Sequence, residues 1–131
     1  MIYLVSSVFG FYVSAVWNPL APSVGASAAL FGLIGAMIAL GMRHNNPMGA
    51  AIRGMYIRWA VYGLLFSLIP GIDMAAHIGG IVAGFGTAYL AGLPGLEGSV
   101  RERIWRVGAW LCILVTVVSF LEMYLAFSQM A

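Results

Sequence analysis

Residues 1–42 contain no Asp, Glu, Lys or Arg. Over the whole chain 63% of the residues are hydrophobic and 8% are charged, whereas charged residues make up about a quarter of an ordinary soluble domain. The apolar part of a signal peptide is only about 7–15 residues long and leads to a cleavage site. The chain is therefore predicted to be a polytopic membrane protein with the lipid bilayer as its solvent.

Proline and glycine divide the chain into five apolar segments, each close to the roughly 20 residues that a membrane-spanning helix needs. Asn18-Pro19, Pro70-Gly71 and Pro94-Gly95 end three of the segments, because proline interrupts a helix. The predicted helices are segments A to E, at residues 2–17, 25–42, 52–69, 73–93 and 106–127. We expect an all-α fold, a polytopic bundle of about five membrane helices that forms a single membrane domain over residues 1–131.

All six basic residues are arginines, and they occur in or beside two of the connections. The B–C and D–E connections lie on the same side of the membrane if the segments alternate in direction, and the positive-inside rule makes that side cytoplasmic. The A–B and C–D connections then face outward. Membrane topology thus explains the six arginines, and no nucleic-acid partner is indicated. The arginines are Arg43, Arg53, Arg58, Arg101, Arg103 and Arg106.

Ser27 and His77 lie near the outer ends of segments B and D, which are predicted to run in parallel. Ser27 is about two residues into its segment and His77 about four, so the rise of 1.5 Å per residue separates them in depth by only about 3 Å. Gly80 and Gly84 form a GxxxG step after His77, and Gly32 narrows segment B. Small residues let membrane helices approach closely, so we expect the hydroxyl and the imidazole to meet.

A serine beside a neutral histidine can act as a nucleophile, because the imidazole takes the hydroxyl proton. Ser27 is also predicted to lie near the start of its helix, where its backbone N–H has no helical acceptor and can stabilise an oxyanion. Phe31 follows four residues later on the same helix face. We therefore predict Ser27 as nucleophile and oxyanion donor, His77 as base, and Phe31 as a ring that packs against the imidazole.

Other polar residues are given structural roles. Asp73, four residues before His77, is either a third catalytic residue or the N-cap of segment D, and we favour the cap because Asp is strongly preferred there. Five other serines are expected to bond to their own helix backbone or to assist helix packing: Ser6, Ser7, Ser14, Ser67 and Ser119. Cys112, the only cysteine, lies in an apolar run, so no disulfide and no thiolate metal site is predicted.

Two stretches of the chain resemble the motifs of rhomboid intramembrane serine proteases. Residues 24–36, Val-Gly-Ala-Ser-Ala-Ala-Leu-Phe-Gly-Leu-Ile-Gly-Ala, resemble the family's Gly-x-Ser-Gly followed by Phe-Gly. Residues 72–84, Ile-Asp-Met-Ala-Ala-His-Ile-Gly-Gly-Ile-Val-Ala-Gly, resemble its Ala-His-x-x-Gly-x-x-x-Gly. The resemblance covers about residues 3–93, in which segments A to D correspond to the third to sixth core helices; segment E, at about 106–127, resembles an additional C-terminal helix.

The resemblance implies a serine endopeptidase that cleaves transmembrane protein substrates through a Ser-His dyad and an acyl-enzyme. It implies that Ser27 is the nucleophile, that its N–H belongs to the oxyanion hole, that His77 is the general base and acid, and that Phe31 packs against the histidine. No metal and no organic cofactor is implied. We expect an integral protein of the bacterial cell (inner) membrane with the active site toward the outer face.

Two departures from the family pattern affect this prediction. Ala28 replaces the usual glycine after the serine, and a methyl group there is strained only if the backbone φ is positive. The family's first two helices, the loop between them, and the His and Asn that assist the oxyanion have no counterpart. We therefore expect the chain to be incomplete as given.

Two alternatives stay open. A rhomboid-like pseudoprotease would bind transmembrane clients without cleavage; Ala28 and the missing N-terminal part favour it, whereas the retained serine and histidine oppose it. A small transporter or channel subunit would use His77 in an ion path. That function predicts more ionisable residues inside the spans, which offer only Glu122 and the interface-reaching Arg58.

Overall fold

Five apolar stretches form five α-helices in the computed structural model, which describes residues 1–20, 22–92 and 99–130. Within these residues there is no β-strand. The predicted all-α class and the number of helices are confirmed. The helices are α1 (Ile2–Trp17), α2 (Ser27–Arg43), α3 (Pro47–Phe66), α4 (Met74–Ala91) and α5 (Val100–Met130).

The helices belong to two compact units. One unit is Ile2–Leu93 and contains α1 to α4; the other comprises Met1 and Pro94–Ala131 and contains α5. The prediction of a single membrane domain over the whole chain stays a prediction. In the described residues, α4 and the stretch Val100–Gln129 of α5 are long and apolar enough to cross a membrane, and α1 and α2 are shorter apolar helices.

Two helices begin earlier than predicted because polar residues cap them. α3 begins at Pro47 instead of residue 52: the side chain of Asn46 accepts a hydrogen bond from the Gly49 N–H at 2.8 Å, and proline suits the first helical position. α5 begins at Val100 instead of residue 106, and the Ser99 hydroxyl accepts from the Glu102 N–H at 3.1 Å. The Asn-Pro pair in the B–C connection therefore starts a helix.

Helix α1 has the predicted bounds, and the remaining helix ends differ by one to three residues. α2 begins at Ser27, two residues later than predicted, because the chain turns at Gly25 with φ at +128°. α4 ends at Ala91, followed by Gly92 with φ at +69°; glycine adopts such angles without strain. The predicted end of segment D at Leu93 and its Pro94-Gly95 pair lie outside the described residues. α3 ends at Phe66 instead of residue 69.

Helices α2 and α4 run in the same direction with their backbones in contact. A Cβ added at Gly84 would overlap the carbonyl oxygen of Gly32, and one added at Gly80 would overlap the carbonyl oxygen of Ala28. One turn along α2 thus matches one turn along α4. Because the register pairs 28 with 80 and 32 with 84, the N-terminal ends of both helices lie at the same end of the bundle.

Helix α1 runs antiparallel to this pair and contacts it through small residues. Its buried positions are Ser6, Gly10 and Ser14, one per turn. A Cβ on Gly10 would lie 2.7 Å from the Ala76 carbonyl oxygen and 2.8 Å from the Ala28 methyl. Since neither α2 nor α4 has a large side chain at these points, α1 packs against the backbones of both.

The register between α2 and α4 predicts unequal effects of two glycine substitutions on α4. Gly84→Ala should lower the free energy of unfolding by about 1–3 kcal/mol, since the new methyl group meets backbone that must move. Gly86→Ala is the matched control, because no atom lies within 4 Å of its added Cβ. Reversible unfolding in mixed micelles measures both variants, and equal stabilities would contradict the proposed contact.

Candidate active site

Ser27 is the first residue of α2, and it is exposed. The preceding Ala26 provides no side-chain cap, and its carbonyl accepts the first helical hydrogen bond from the Leu30 N–H at 3.1 Å. The N–H groups of residues 27–29 therefore precede the first helical donor. An uncapped first turn directs partial positive charge toward the space around the Ser27 hydroxyl.

His77 lies in the first turn of α4, and only 5% of its surface is exposed. Its ring stacks on Phe31 of α2, with the ring centroids 4.1 Å apart and the planes at 21°. Phe31 in turn fills the space beside Gly63 of α3, where an added Cβ would come within 2.5 Å of the ring. The plane of the imidazole is thus determined by contacts that reach through α2 to α3.

Ser67 contacts the histidine from the C-terminal end of α3. Its Oγ lies 2.6 Å from the Nδ1 atom of His77 and 2.7 Å from the carbonyl oxygen of Gly63. The bond to its own helix agrees with the sequence-based expectation, but the bond to His77 was missed. No periodicity or motif indicated it, because it depends on where α3 ends.

Ser27 and His77 line the same cavity of about 520 Å³, together with Phe31 and Ser67. Within residues 1–20, 22–92 and 99–130, no hydrogen bond joins the Ser27 hydroxyl to His77. Catalytic hydrogen bonds are often long in a free enzyme and shorten when substrate binds. The arrangement provides an accessible hydroxyl and a buried imidazole around one space at the N-terminal end of α2.

Ala28 does not obstruct this cavity. It lies in α2, its φ is not positive, and it is completely buried. Its methyl group faces Gly10 of α1 and is not part of the cavity lining. The strain that a methyl group introduces at a positive φ therefore does not arise at Ala28.

Asp73 caps α4, as the sequence predicts. One carboxylate oxygen accepts from the Ala76 N–H at 2.9 Å, and the other accepts from the Ser14 hydroxyl of α1. The His77 backbone N–H donates to the Asp73 backbone carbonyl at 3.2 Å, but in the described part of the chain no hydrogen bond joins the Asp73 carboxylate to the His77 ring. Among those residues, no three His, Cys, Asp or Glu side chains lie close enough to bind a metal ion.

The fold and the site define a class: an integral membrane protein of apolar helices in which a serine and a histidine face a common cavity. A family model described as the Rhomboid domain matches residues 1–94. That range is most of the chain, and the chain belongs to the rhomboid family.

Curated relatives of this chain carry both protease and inactive names. It is 35% identical over 95 residues to Rhomboid protease GluP of Bacillus subtilis (strain 168), covering 72% of this chain and 18% of the relative. It is 39% identical over 92 residues to RHOMBOID-like protein 7 of Arabidopsis thaliana, covering 68% of this chain and 29% of the relative. It is also 32% identical over 85 residues to Inactive RHOMBOID-like protein 8 of the same plant, covering 63% of this chain and 24% of the relative.

The chain spans less than a third of the length of each of these relatives. No solved structure is significantly similar to it.

The hydrogen bonds that the Asp73 carboxylate accepts from Ala76 and Ser14 predict how substitutions there affect stability. Asp73→Ala should lower the free energy of unfolding by about 1–2 kcal/mol, because the N-cap and the bond from Ser14 are both lost. Asp73→Asn should have a free energy of unfolding close to that of the parent, since asparagine caps helices equally well. Unfolding in mixed micelles tests both, and an asparagine variant as unstable as the alanine variant would contradict the capping role.

Proposed function

We propose that this chain carries the catalytic dyad of an intramembrane serine endopeptidase, with Ser27 as nucleophile and His77 as general base and acid. The observation that carries the proposal is the shared cavity of Ser27 and His77, with the imidazole stacked on Phe31. Membership of the rhomboid family and the similarity to a protein named as a rhomboid protease support it.

The proposed reaction has two steps. His77 takes the Ser27 hydroxyl proton while Oγ attacks the scissile carbonyl carbon, and the Ser27 N–H at the start of α2 stabilises the oxyanion. The intermediate collapses, the C–N bond breaks, and the imidazolium gives its proton to the departing amine. Water, deprotonated by His77, then attacks the acyl carbon, the bond from that carbon to Ser27 Oγ breaks, and His77 returns the proton to Oγ.

The proposed substrate is a transmembrane protein whose chain is extended where it enters the cavity. Phe31, Phe66 and Ile72 make part of the wall apolar, while Ser27 and His77 provide the polar groups. Ser27 is the first residue of α2, so the cavity lies at the N-terminal end of that helix. A substrate that enters there needs to unwind only the end of its own transmembrane helix. The relatives are longer than this chain, so further substrate contacts belong to the proposal.

We also propose that the site faces the outer side of a bacterial cell membrane. Arg43 at the C-terminal end of α2 donates to the Tyr89 carbonyl oxygen of α4 at 2.5 Å and lies 5.8 Å from the centroid of the Tyr89 ring. These residues are at the opposite ends of their helices from Ser27 and His77. The positive-inside rule then favours the cytoplasm for Arg43 and the outside for the cavity.

A cysteine-accessibility experiment tests this orientation. In a Cys112→Ala background, Val24→Cys beside the cavity should react with a membrane-impermeant maleimide in intact cells. Met48→Cys, at the start of α3 and also exposed, is the matched control and should react only after lysis. The reverse pattern would show that the cavity faces the cytoplasm.

Binding without cleavage is the second candidate function. The similarity to a relative named inactive favours it, as does the lack of a Ser27–His77 hydrogen bond among the described residues. Both functions use the same cavity, and they differ in whether the Ser27 hydroxyl is activated. Reaction with a serine-directed probe therefore separates them.

Fluorophosphonate labelling in membranes tests the proposed nucleophile. The parent chain should be labelled, and both Ser27→Ala and His77→Ala should lose labelling by at least about 10², because nucleophile and base act as one unit. Ser119→Ala and His44→Ala are matched controls that remove a serine and a histidine elsewhere, and they should label like the parent. Loss of labelling in either control, or equal labelling of all variants, would refute the dyad.

A further inference from the structure

The Ser67 hydroxyl has two neighbours within hydrogen-bonding distance but only one hydrogen. Its Oγ lies 2.7 Å from the Gly63 carbonyl oxygen and 2.6 Å from His77 Nδ1. A carbonyl oxygen can only accept, so the hydroxyl donates its hydrogen to Gly63. With that hydrogen used, the short contact to the imidazole is a hydrogen bond only if Nδ1 carries a proton and donates it.

Burial strengthens this assignment. Ser67 is 4% exposed and His77 is 5% exposed, so solvent is largely excluded from both groups. Water therefore cannot readily replace a hydrogen bond that is lost there. In the opposite tautomer the single hydroxyl hydrogen would go to Nδ1. The Gly63 oxygen would keep its bond from the Ser67 backbone N–H at 3.0 Å, but its 2.7 Å contact with the hydroxyl oxygen would contain no hydrogen and would lose its hydrogen bond.

We propose that Ser67 is a positioning residue that keeps neutral His77 in the Nδ1–H tautomer and so leaves the lone pair of Nε2 free to accept the proton of Ser27. The chain of donors runs from Nδ1–H to Ser67 Oγ, and from the Ser67 hydroxyl to the Gly63 carbonyl. This inference rests on the proposed function for the identity of the proton donor, but the tautomer itself does not depend on it.

Two other residues are less suited to these roles. Ser67 is a poor nucleophile, because its hydroxyl is buried and its hydrogen is bound to Gly63. Asp73 is not the partner of Nδ1: its carboxylate oxygens accept from Ala76 and Ser14, and among the described residues none of its oxygens bonds to the His77 ring. A serine hydroxyl at the end of α3 thus takes the orienting position that a carboxylate occupies in a Ser-His-Asp triad.

The tautomer can be measured directly by ¹⁵N spectroscopy. The chain contains two histidines, so His44→Gln leaves His77 as the only imidazole, and ¹⁵N labelling of that ring shows which nitrogen bears the proton. In this parent the proton should be on Nδ1 when the ring is neutral. In Ser67→Ala a substantial share of the proton should move to Nε2.

The rate of fluorophosphonate labelling provides the second readout. Ser67→Ala should slow labelling about tenfold, the factor that corresponds to one net hydrogen bond of ordinary strength. Ser67→Thr keeps the hydroxyl and should recover both the Nδ1–H tautomer and most of the rate. Thr87→Ala is the matched control: Thr87 also donates to the carbonyl four residues earlier, at 2.7 Å, but it lies three turns beyond His77 on α4.

The outcomes separate this inference from the proposed function. A parent spectrum with the proton on Nε2 would overturn the role of Ser67, as would Ser67→Ala with unchanged spectrum and rate, even if Ser27 still reacts as a nucleophile. A chain that never labels at Ser27 would refute the protease, yet the spectra of the parent and of Ser67→Thr would still decide the tautomer. Loss of the Nδ1 proton in Thr87→Ala would also refute a specific role for Ser67.

Discussion

The backbone contact between α2 and α4 is the constraint on which the rest of the structure depends. Gly84 against the Gly32 carbonyl and Gly80 against the Ala28 carbonyl leave no room for a side chain between the helices. This contact sets the register and brings the N-terminal ends of the two helices together. Without it, a hydroxyl at the start of one helix and an imidazole in the first turn of the other would have no common cavity.

Three helices determine the surroundings of His77. Phe31 of α2 contacts one face of the imidazole, Ser67 at the end of α3 contacts Nδ1, and α4 carries the ring itself. Gly63 links two of these contacts, because Phe31 packs against it and Ser67 donates to its carbonyl. A shift of the last turn of α3 would therefore alter the stacking and the hydrogen bond together.

Ala28 stands where the family pattern has glycine, and the effect of its methyl group on the site depends on where that methyl group points. A methyl group on residue 28 would disturb a site if it pointed toward the substrate. In this backbone it points toward Gly10 of α1, where only a hydrogen occupies the opposing position. Gly10 of α1 therefore makes room for the Ala28 methyl group, which stays outside the lining of the cavity.

The sequence by itself determined the apolar helices, the parallel direction of segments B and D and the cap at Asp73, because composition, alternation and local hydrogen bonding are encoded in neighbouring residues. The same information selected Ser27, His77 and Phe31 as site candidates, through their positions near helix starts and their resemblance to family motifs. The predicted start of α3 at residue 52 was wrong, because Asn46 caps the helix and Pro47 is its first residue. A proline can begin a helix as well as end one. Only the tertiary structure decided the direction of the Ala28 methyl and the pairing of Ser67 with His77, since both depend on distances between helices that no local pattern records.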